Sequence, residues 1–551
     1  MTKSKSILTK LIIGLVLFFG FGLGLSIYKT DNLMKDLIVL KLNKSLRNNV
    51  HSIYDYSLDN IRLKFWLGDL RINGFEIFIK PSALDSLRRN NISKRQLLEG
   101  QFGSLHIKGF DFSELLLEDK IIARKILLES PDIRFFLNTD APKNKKNKFD
   151  LDSVFSIMKP NLAIEKLELS NASFEVIDVS KDSINTFGID EFSFSLNNLK
   201  IDSSTLLTPL RVSYSSFECG SGNSYVYIND DYDFKMKDFS YNSNDKMLNF
   251  EGISIAHNLN KKEYIKETAD DTPLYRVSID KLEIDLSLGD IMVDDVLKIK
   301  KVELDKLDVF VYQSKKNVIR PLKTKPLVAS MIRSIPVPII IKEIELKDCF
   351  FTYEFQDKAM KEKTLKIDFT RSDILISNVT NNDLSLQENH FMNVSAVSYF
   401  MDKGRVDLNI KFDLTNKNEY FIVNGHLGQM AFSDANSVVK SLAPVMFVEG
   451  KVHGVDFNFK ANNYKSTGLM DFHYSDVRLS VLKEDSKQRK NKPVLSMLLN
   501  NLIKKNNKPN TNKYKTGIID ARFNQKKSIL NYLWQSVKSG LFSSLSHSKR
   551  K

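Results

Sequence analysis

From Ile61 onward the chain alternates between apolar and polar positions. In "IRLKFWLGDLRINGFEIFIK" (61–80), Ile61, Leu63 and Phe65 fall on one side of an extended backbone and Arg62 and Lys64 on the other, the two-residue period of a half-buried strand. The same period runs through "SLHIKGFDF", "EFSFSLNNLKI", "VSIDKLEIDLSL", "RVDLNIKFDL" and "VDFNFKANNYKSTGLMDFHY", broken by Asn, Asp, Ser and Gly. Each predicts a strand or a hairpin. Helical periodicity is confined to 82–98, 324–334, 434–443, 493–505 and 527–546, and lysine-rich loops are expected near 140–149, 258–271 and 483–492.

One line of this pattern is written four times. "ARKILLESPDIRF" (123–135), "IEKLELSNASFEV" (164–176), "IKKVELDKLDVFV" (299–311) and "IKEIELKDCFFTY" (341–353) align over their whole length, with apolar residues at the fourth, sixth, eleventh and thirteenth positions. Four mostly polar residues separate the two apolar pairs, while Glu168, Glu303 and Glu345 fall on the face opposite the neighbouring leucines. Each copy therefore predicts two short strands, or one strand with a break, greasy on one side and wet on the other. A unit of this kind cannot bury its own apolar face, so repetition implies stacking into a long sheet. Two outcomes satisfy the pattern: a covered sandwich, or a sheet that curls and keeps an apolar channel. The few expected helices favour the second.

The N-terminus reads differently. "MTKSKSILTKLIIGLVLFFGFGLGLSIYK" sets Lys3, Lys5 and Lys10 before an uncharged run, Leu11–Tyr28. Eighteen helical residues rise about 27 Å, close to the hydrocarbon thickness of a bilayer. The run is longer than the h-region of a cleaved signal peptide, so an uncleaved signal-anchor is expected, with the N-terminus cytoplasmic and the rest translocated. Residues 30–50 place Leu33, Leu37, Val39, Leu40 and Leu46 on one side of a juxtamembrane amphipathic helix. The expected organisation is anchor (1–29), juxtamembrane helix (30–50), β-rich body (51–482), basic linker with a short helix and final strand (483–525), and C-terminal helix (526–551).

Composition and charge narrow the function. The net charge of +14 resides entirely in the segment from Lys483 onward, which holds 17 Lys and Arg against Glu484, Asp485 and Asp520. The remaining chain is neutral, so no nucleic-acid partner is expected, and a basic tail of this kind suits an anionic surface or solvent. "KKSILNYLWQSVKSGLFSSLSHSKRK" (526–551) carries Leu530, Leu533, Trp534, Val537 and Leu541 on a basic helix without an acid, suited either to a membrane interface or to capping the open sheet end. The two cysteines, Cys219 and Cys349, form no metal motif; a disulfide or two buried thiols both account for them. Eight histidines are scattered, without HExxH, and GxSxG, P-loop and GxGxxG signatures are missing. No enzyme activity, metal or cofactor is expected.

Three stretches carry a family resemblance. "LIVLKLNKSLRNNVHSIYDYSLDNIRLKFWLGDLRINGFEI" behind the anchor, "LLLEDKIIARKILLESPDIRFFLN", and "LAPVMFVEGKVHGVDFNFKANNYKSTGLMDFHYSDVRLSVL" (442–482) resemble the AsmA-like proteins of the Gram-negative envelope, which share the architecture of chorein-type, bridge-like lipid transfer proteins. The chain departs from the family's largest members in its shorter length and long basic segment. The resemblance implies a mainly β fold: an elongated, curved antiparallel sheet with a taco-like apolar groove, a single-pass inner-membrane anchor and a periplasmic body. It further implies phospholipid as ligand, a role in lipid transfer and outer-membrane lipid balance, and outer-membrane or periplasmic protein partners. The groove lining would then be Ile126, Leu128, Ile133, Phe135, Leu167, Leu169, Phe174, Val176, Val302, Leu304, Val309, Val311, Ile344, Leu346, Phe351 and Tyr353. An envelope assembly or scaffold factor, binding proteins through the same sheet, is the alternative.

Overall fold

A computed structural model of the 551-residue chain describes residues 30–36, 39–40, 54–89, 96–118, 120–138, 162–180, 184–202, 204–205, 212–229, 231–267, 272–287, 296–315, 324–357, 364–442, 445–481 and 503–546. The expected anchor, the basic stretch 483–502 and most of the expected helix at 493–505 lie outside these residues. Of the expected helix at 30–50, residues 30–36 and 39–40 are described and helical. No helix among the described residues is long and apolar enough to cross a membrane.

The protein is mainly β, as the alternation predicts, and its strands fall into two compact units: residues 1–228 with 236–245, and residues 229–235 with 246–551. In the first unit β1 (Tyr54–Lys64), β2 (Asp69–Ile79), β3 (Gln96–Lys108), β4 (Ile121–Leu137), β5 (Leu162–Asp178) and β6 (Ile184–Ile201) pair in chain order. The short strands β7 (Ser216–Ser221) and β8 (Ser224–Asn229) share the far side of β6, and, after β9 (Tyr232–Met236), β10 (Asp238–Asn242) pairs with β7.

In the second unit β9 pairs with β11 (Met247–His257), which pairs with β12 (Leu274–Leu286). Both β13 (Leu297–Asp305) and β14 (Asp308–Lys315) lie between β12 and β15 (Ile339–Asp357). From β15 the sheet continues through β16 (Leu365–Thr380), β17 (Phe391–Phe400), β18 (Gly404–Asp413) and β19 (Phe421–Leu427). The two-residue β20 (Met430–Ala431) and β19 both pair with β21 (Val445–Ala461), which leads to β22 (Lys465–Val481) and β23 (Gly517–Arg522).

The expectation of an antiparallel sheet is corrected: the sheet is mixed. β4 runs parallel to β5, and β13 and β14 run parallel to β15. These parallel pairs are the sequence repeats. Ile126 sits beside Leu167, Leu128 beside Leu169, Ile133 beside Phe174 and Phe135 beside Val176, each the same repeat position in two copies. Val302, Leu304, Val309 and Val311 meet Ile344, Leu346, Phe351 and Tyr353 in the same way. A parallel pair needs a crossover and keeps the two chains in phase, so equivalent apolar positions align only if the copies share one pattern.

Apart from the last, the helices labelled below are short. α1 (Pro81–Arg88) buries Ala83 and Leu87 against Ile79, Leu97 and Val179. The helical pattern expected to run to residue 98 gives way to β3 from Gln96, where Leu97 and Leu98 belong to a strand. α2 (Phe112–Glu118) and α3 (Lys261–Glu267) follow β3 and β11. α4 (Val328–Arg333), α5 (Asp383–Glu388) and α6 (Asn436–Leu442) belong to the second unit, and α7 (Ile529–Leu545) closes the described chain. The largest core joins α4 and α7 to the apolar residues of β15–β23, with Phe421, Val423, Phe459, Met470, Tyr474 and Ile519 almost fully buried.

Candidate functional site

The apolar positions form unbroken rows across each sheet. In the first unit Ile61, Ile72, Leu105, Leu128, Leu169 and Phe194 stand side by side on β1–β6. A second row runs Leu63, Leu70, Ile107, Ile126, Leu167, Leu196. In the second unit one row crosses nine strands: Leu248, Ile284, Val302, Ile344, Ile376, Val394, Ile410, Val423 and Phe459. Neighbouring strands thus offer one continuous apolar face.

All sixteen repeat residues named from the sequence are half-buried. Eight lie side by side on the apolar face of each unit, and they neither vanish into a core nor stand free. Along the nine-strand row the environment changes. From Leu248 to Val394 the side chains are half-buried, and from Ile410 to Phe459 they are buried, where α4, α7 and the 3-10 turn Phe432–Ala435 join the core. Ile339 and Val379, near one end of β15 and β16, already belong to that core, so the apolar surface left half-buried runs over β11–β14 and the middle of β15 and β16.

The spacing of the repeat needs a structural device. Its sixth and eleventh positions are an odd number of residues apart, so a regular strand would send them to opposite faces. The backbone resolves this at the eighth position in every copy: Ser130, Asn171, Lys306 and Asp348 have φ of 47°, 52°, 51° and 49°. One left-handed residue takes up the odd step, as in a β-bulge, and both apolar pairs return to the same face. Gly74 and Glu191 continue this line on β2 and β6, and Gly252 and Arg371 continue it on β11 and β16, all with positive φ. Bulges bend their strands, so bulges aligned on neighbouring strands bend the sheet along one line.

Side chains beside that line are small and buried. The ninth position is Pro131, Ala172 and Cys349 in three copies, the last two with 0% exposure. Ser372, which pairs with Cys349, shares a hydrogen bond of 2.7 Å with buried Ser398. Small groups are thus buried along this line, with half-buried Leu, Ile, Val and Phe on both sides of it.

The opposite face is ionic. Lys301 reaches Glu345 at 2.7 Å and Lys347 reaches Glu303 at 2.6 Å, each ion pair crossing between parallel repeats. The Lys347 ammonium, aided by Lys301 against some desolvation, holds Glu303 below the usual carboxylate range. Partial burial pushes Glu168 up, but contacts with Lys125 and Lys166 outweigh it and leave this carboxyl lowered. Within the apolar rows, burial raises the phenol of Tyr353, whose hydroxyl donates to Gln313 Oε1 at 3.2 Å.

α7 caps the last strand. Ser539 Oγ accepts the Asp520 N–H and Ser543 Oγ the Ile518 N–H, each at 3.0 Å, satisfying two outward donors of edge strand β23. Tyr532, Ser536, Gly540 and Ser544 form its buried stripe. A Cβ at Gly540 would meet Ile519 and Met470 at 2.9 Å, so glycine permits the close approach. Leu533, Val537 and Leu541 pack partly on the core, while Leu530 is 73% and Trp534 36% exposed. Sequence reasoning picked out the apolar side of this helix and missed the Ser/Gly side that holds it, although the four-residue spacing of Ser536, Gly540 and Ser544 was visible.

It missed more of the face as well. Leu105, Ile107, Phe194, Leu196, Leu282, Ile284, Ile374 and Ile376 complete the rows, and their alternation announced strands, but only the register shows which strands they adjoin. Cys219 and Cys349 are free thiols. His453 meets Ser475 and His473 meets Tyr514. Among the described residues no three metal-ligating side chains come together. No protein-family model matches the chain, and no curated protein does either.

Proposed function

We propose that the bent apolar faces are open grooves that hold phospholipid acyl chains, and that the protein is an AsmA-like lipid-transfer component of the Gram-negative envelope. In this account Leu11–Tyr28 anchors the chain in the inner membrane, the body is periplasmic, and protein partners complete the path to the outer membrane. The observation that carries it is the set of half-buried apolar rows on β2–β6 and β11–β16, flanking a line of small, buried side chains.

The chemistry suits an acyl chain. Each CH₂ removed from water gains about 0.8 kcal/mol, and rows of Leu, Ile, Val and Phe offer one such contact after another. A chain sliding by one row exchanges like for like, which keeps barriers low. Headgroups need no dedicated pocket, because they stay in solvent at the open side. The ionic outer face keeps the sheet soluble.

Introducing a carboxylate tests the assignment. Val309→Asp and Phe174→Asp place a charge in the proposed grooves, and bound phospholipid, measured by mass spectrometry of the purified full chain, is expected to fall severalfold with the melting temperature preserved. Unfolding of both variants would instead identify a closed core and favour a scaffold that binds proteins.

A further inference from the structure

The geometry points to a second lipid contact: the end of the first unit formed by the β1–β2 turn and α2 dips into the membrane surface. The inference rests on the proposed anchoring of residues 11–28. It concerns Trp66, Leu67 and Leu117, which no step of the groove account uses.

Trp66 and Leu67 are each 68% exposed and Leu117 is 84% exposed. Single exposed apolar residues are ordinary on protein surfaces, but these three share one end of one sheet. Lys64 pairs with Asp69 and Leu70 with Ile107, which places the β1–β2 turn beside the end of β3. Phe110 N–H donates to Gly68 O at 3.0 Å, and Asp111 N–H to Ile122 O at 2.9 Å, bringing the approach to α2 and the start of β4 to the same place.

The turn is built to hold its apolar tip outward. Phe65 folds inward and stacks on Phe112, ring centres 4.6 Å apart, with Phe110 edge-on to Phe112 at 4.8 Å. Gly68 has φ 60°, and a Cβ there would strike the Phe110 backbone at 2.3 Å. That anchored base leaves Trp66 and Leu67 no inward alternative. A Trp held on a rigid turn is the side chain best suited to the headgroup layer, with its ring in the acyl boundary and its indole N–H in the wet zone.

What fixes the occupant is chain continuity. The helix at 30–36 follows directly on the apolar run, and its Asp31 carboxylate accepts the Phe65 N–H at 2.7 Å. The same turn that presents Trp66 is therefore tied within a few residues of the proposed membrane exit. Leu33, on that helix, is 63% exposed. A lipid surface at this position covers all four side chains and faces the end of the first apolar groove, where a lipid leaving the bilayer would enter.

The test uses the full chain in phosphatidylcholine vesicles. The protein has two tryptophans, so Trp534→Phe leaves Trp66 as the sole reporter. Lipids brominated close to the glycerol are expected to quench Trp66 emission at least about twofold, with matching protection from aqueous iodide. Adding Leu67→Glu and Leu117→Glu is expected to abolish that quenching at an unchanged melting temperature. Iodide access equal to that of a free indole in protein that still floats with the vesicles would overturn the tip while leaving the anchor intact. Protein that fails to float would overturn both, and shielding from iodide without bromolipid quenching would place the tip against this chain or a second copy of it and overturn the membrane contact.

Discussion

The Asn171 side-chain amide donates to Ser130 Oγ across 3.2 Å, joining the left-handed residues of two neighbouring repeats. Both residues occupy the eighth repeat position, on parallel strands β4 and β5, and both step the backbone so that the apolar pairs on either side share one face. The same step recurs at Lys306 and Asp348.

Backbone strain at these bulges should be selective. A β-branched side chain tolerates φ near 50° poorly, whereas glycine and asparagine adopt it readily. Lys306→Ile is expected to destabilise the protein by about 1–2 kcal/mol, and Lys306→Asn to leave it unchanged or slightly raise the melting temperature. Equal melts for the two variants would remove the bulge from the account.

Deleting Asn171 makes a stronger demand. Without the extra residue Phe174 and Val176 turn to the ionic face, and the row they share with Ile133 and Phe135 is lost. Limited proteolysis is expected to degrade the first unit of the deletion variant while Asn171→Gly remains resistant.

The edge cap of α7 predicts an effect on association as well as stability. Ser539→Ala with Ser543→Ala removes the acceptors of the Asp520 and Ile518 N–H groups, costing roughly 1 kcal/mol each. It also uncovers a strand edge open to another chain. Light scattering is expected to show concentration-dependent self-association in the double variant; a monodisperse protein with an unchanged melt would contradict the cap.

The parallel-repeat ion pairs set a pH dependence. Glu303 titrates below its ordinary range in the folded protein, chiefly through Lys347. Its contribution is therefore present above the unfolded carboxylate value and is lost as pH falls through the lowered folded one. The pair is partly exposed, so the contribution is at most about 1 kcal/mol. Between about pH 5 and pH 2 the wild-type melting temperature should fall more steeply than that of Glu303→Gln, and parallel curves would dismiss the pair's role.

Much of this architecture was legible in the sequence, and the reasons are specific. Two-residue alternation announced the strands because half-burial imposes it, and the fourfold repeat announced equivalent faces. That the copies pair with each other, in parallel, was hidden: alternation reads the same in either direction, and only the crossover between β14 and β15, with α4 inside it, distinguishes the two. The break inside each repeat was visible as an odd spacing between Leu169 and Phe174, whereas its backbone conformation was not, since Ser130, Asn171, Lys306 and Asp348 share no side-chain type. The apolar rows could be listed strand by strand, but their alignment is a property of register. The tail helix was placed by its leucines, while what fixes it is serine and glycine, small residues with little hydrophobic signal.

The central claim is that Val309 and its row face lipid. A photoreactive benzoylphenylalanine placed at Val309 in the full chain, in its native membrane, and a second placed at Glu343 on the ionic face, measure this directly. Cross-linked phospholipid at Val309 and none at Glu343, identified by mass spectrometry, is the predicted result. Cross-links at Val309 only to the protein's own strands or to another protein would contradict it.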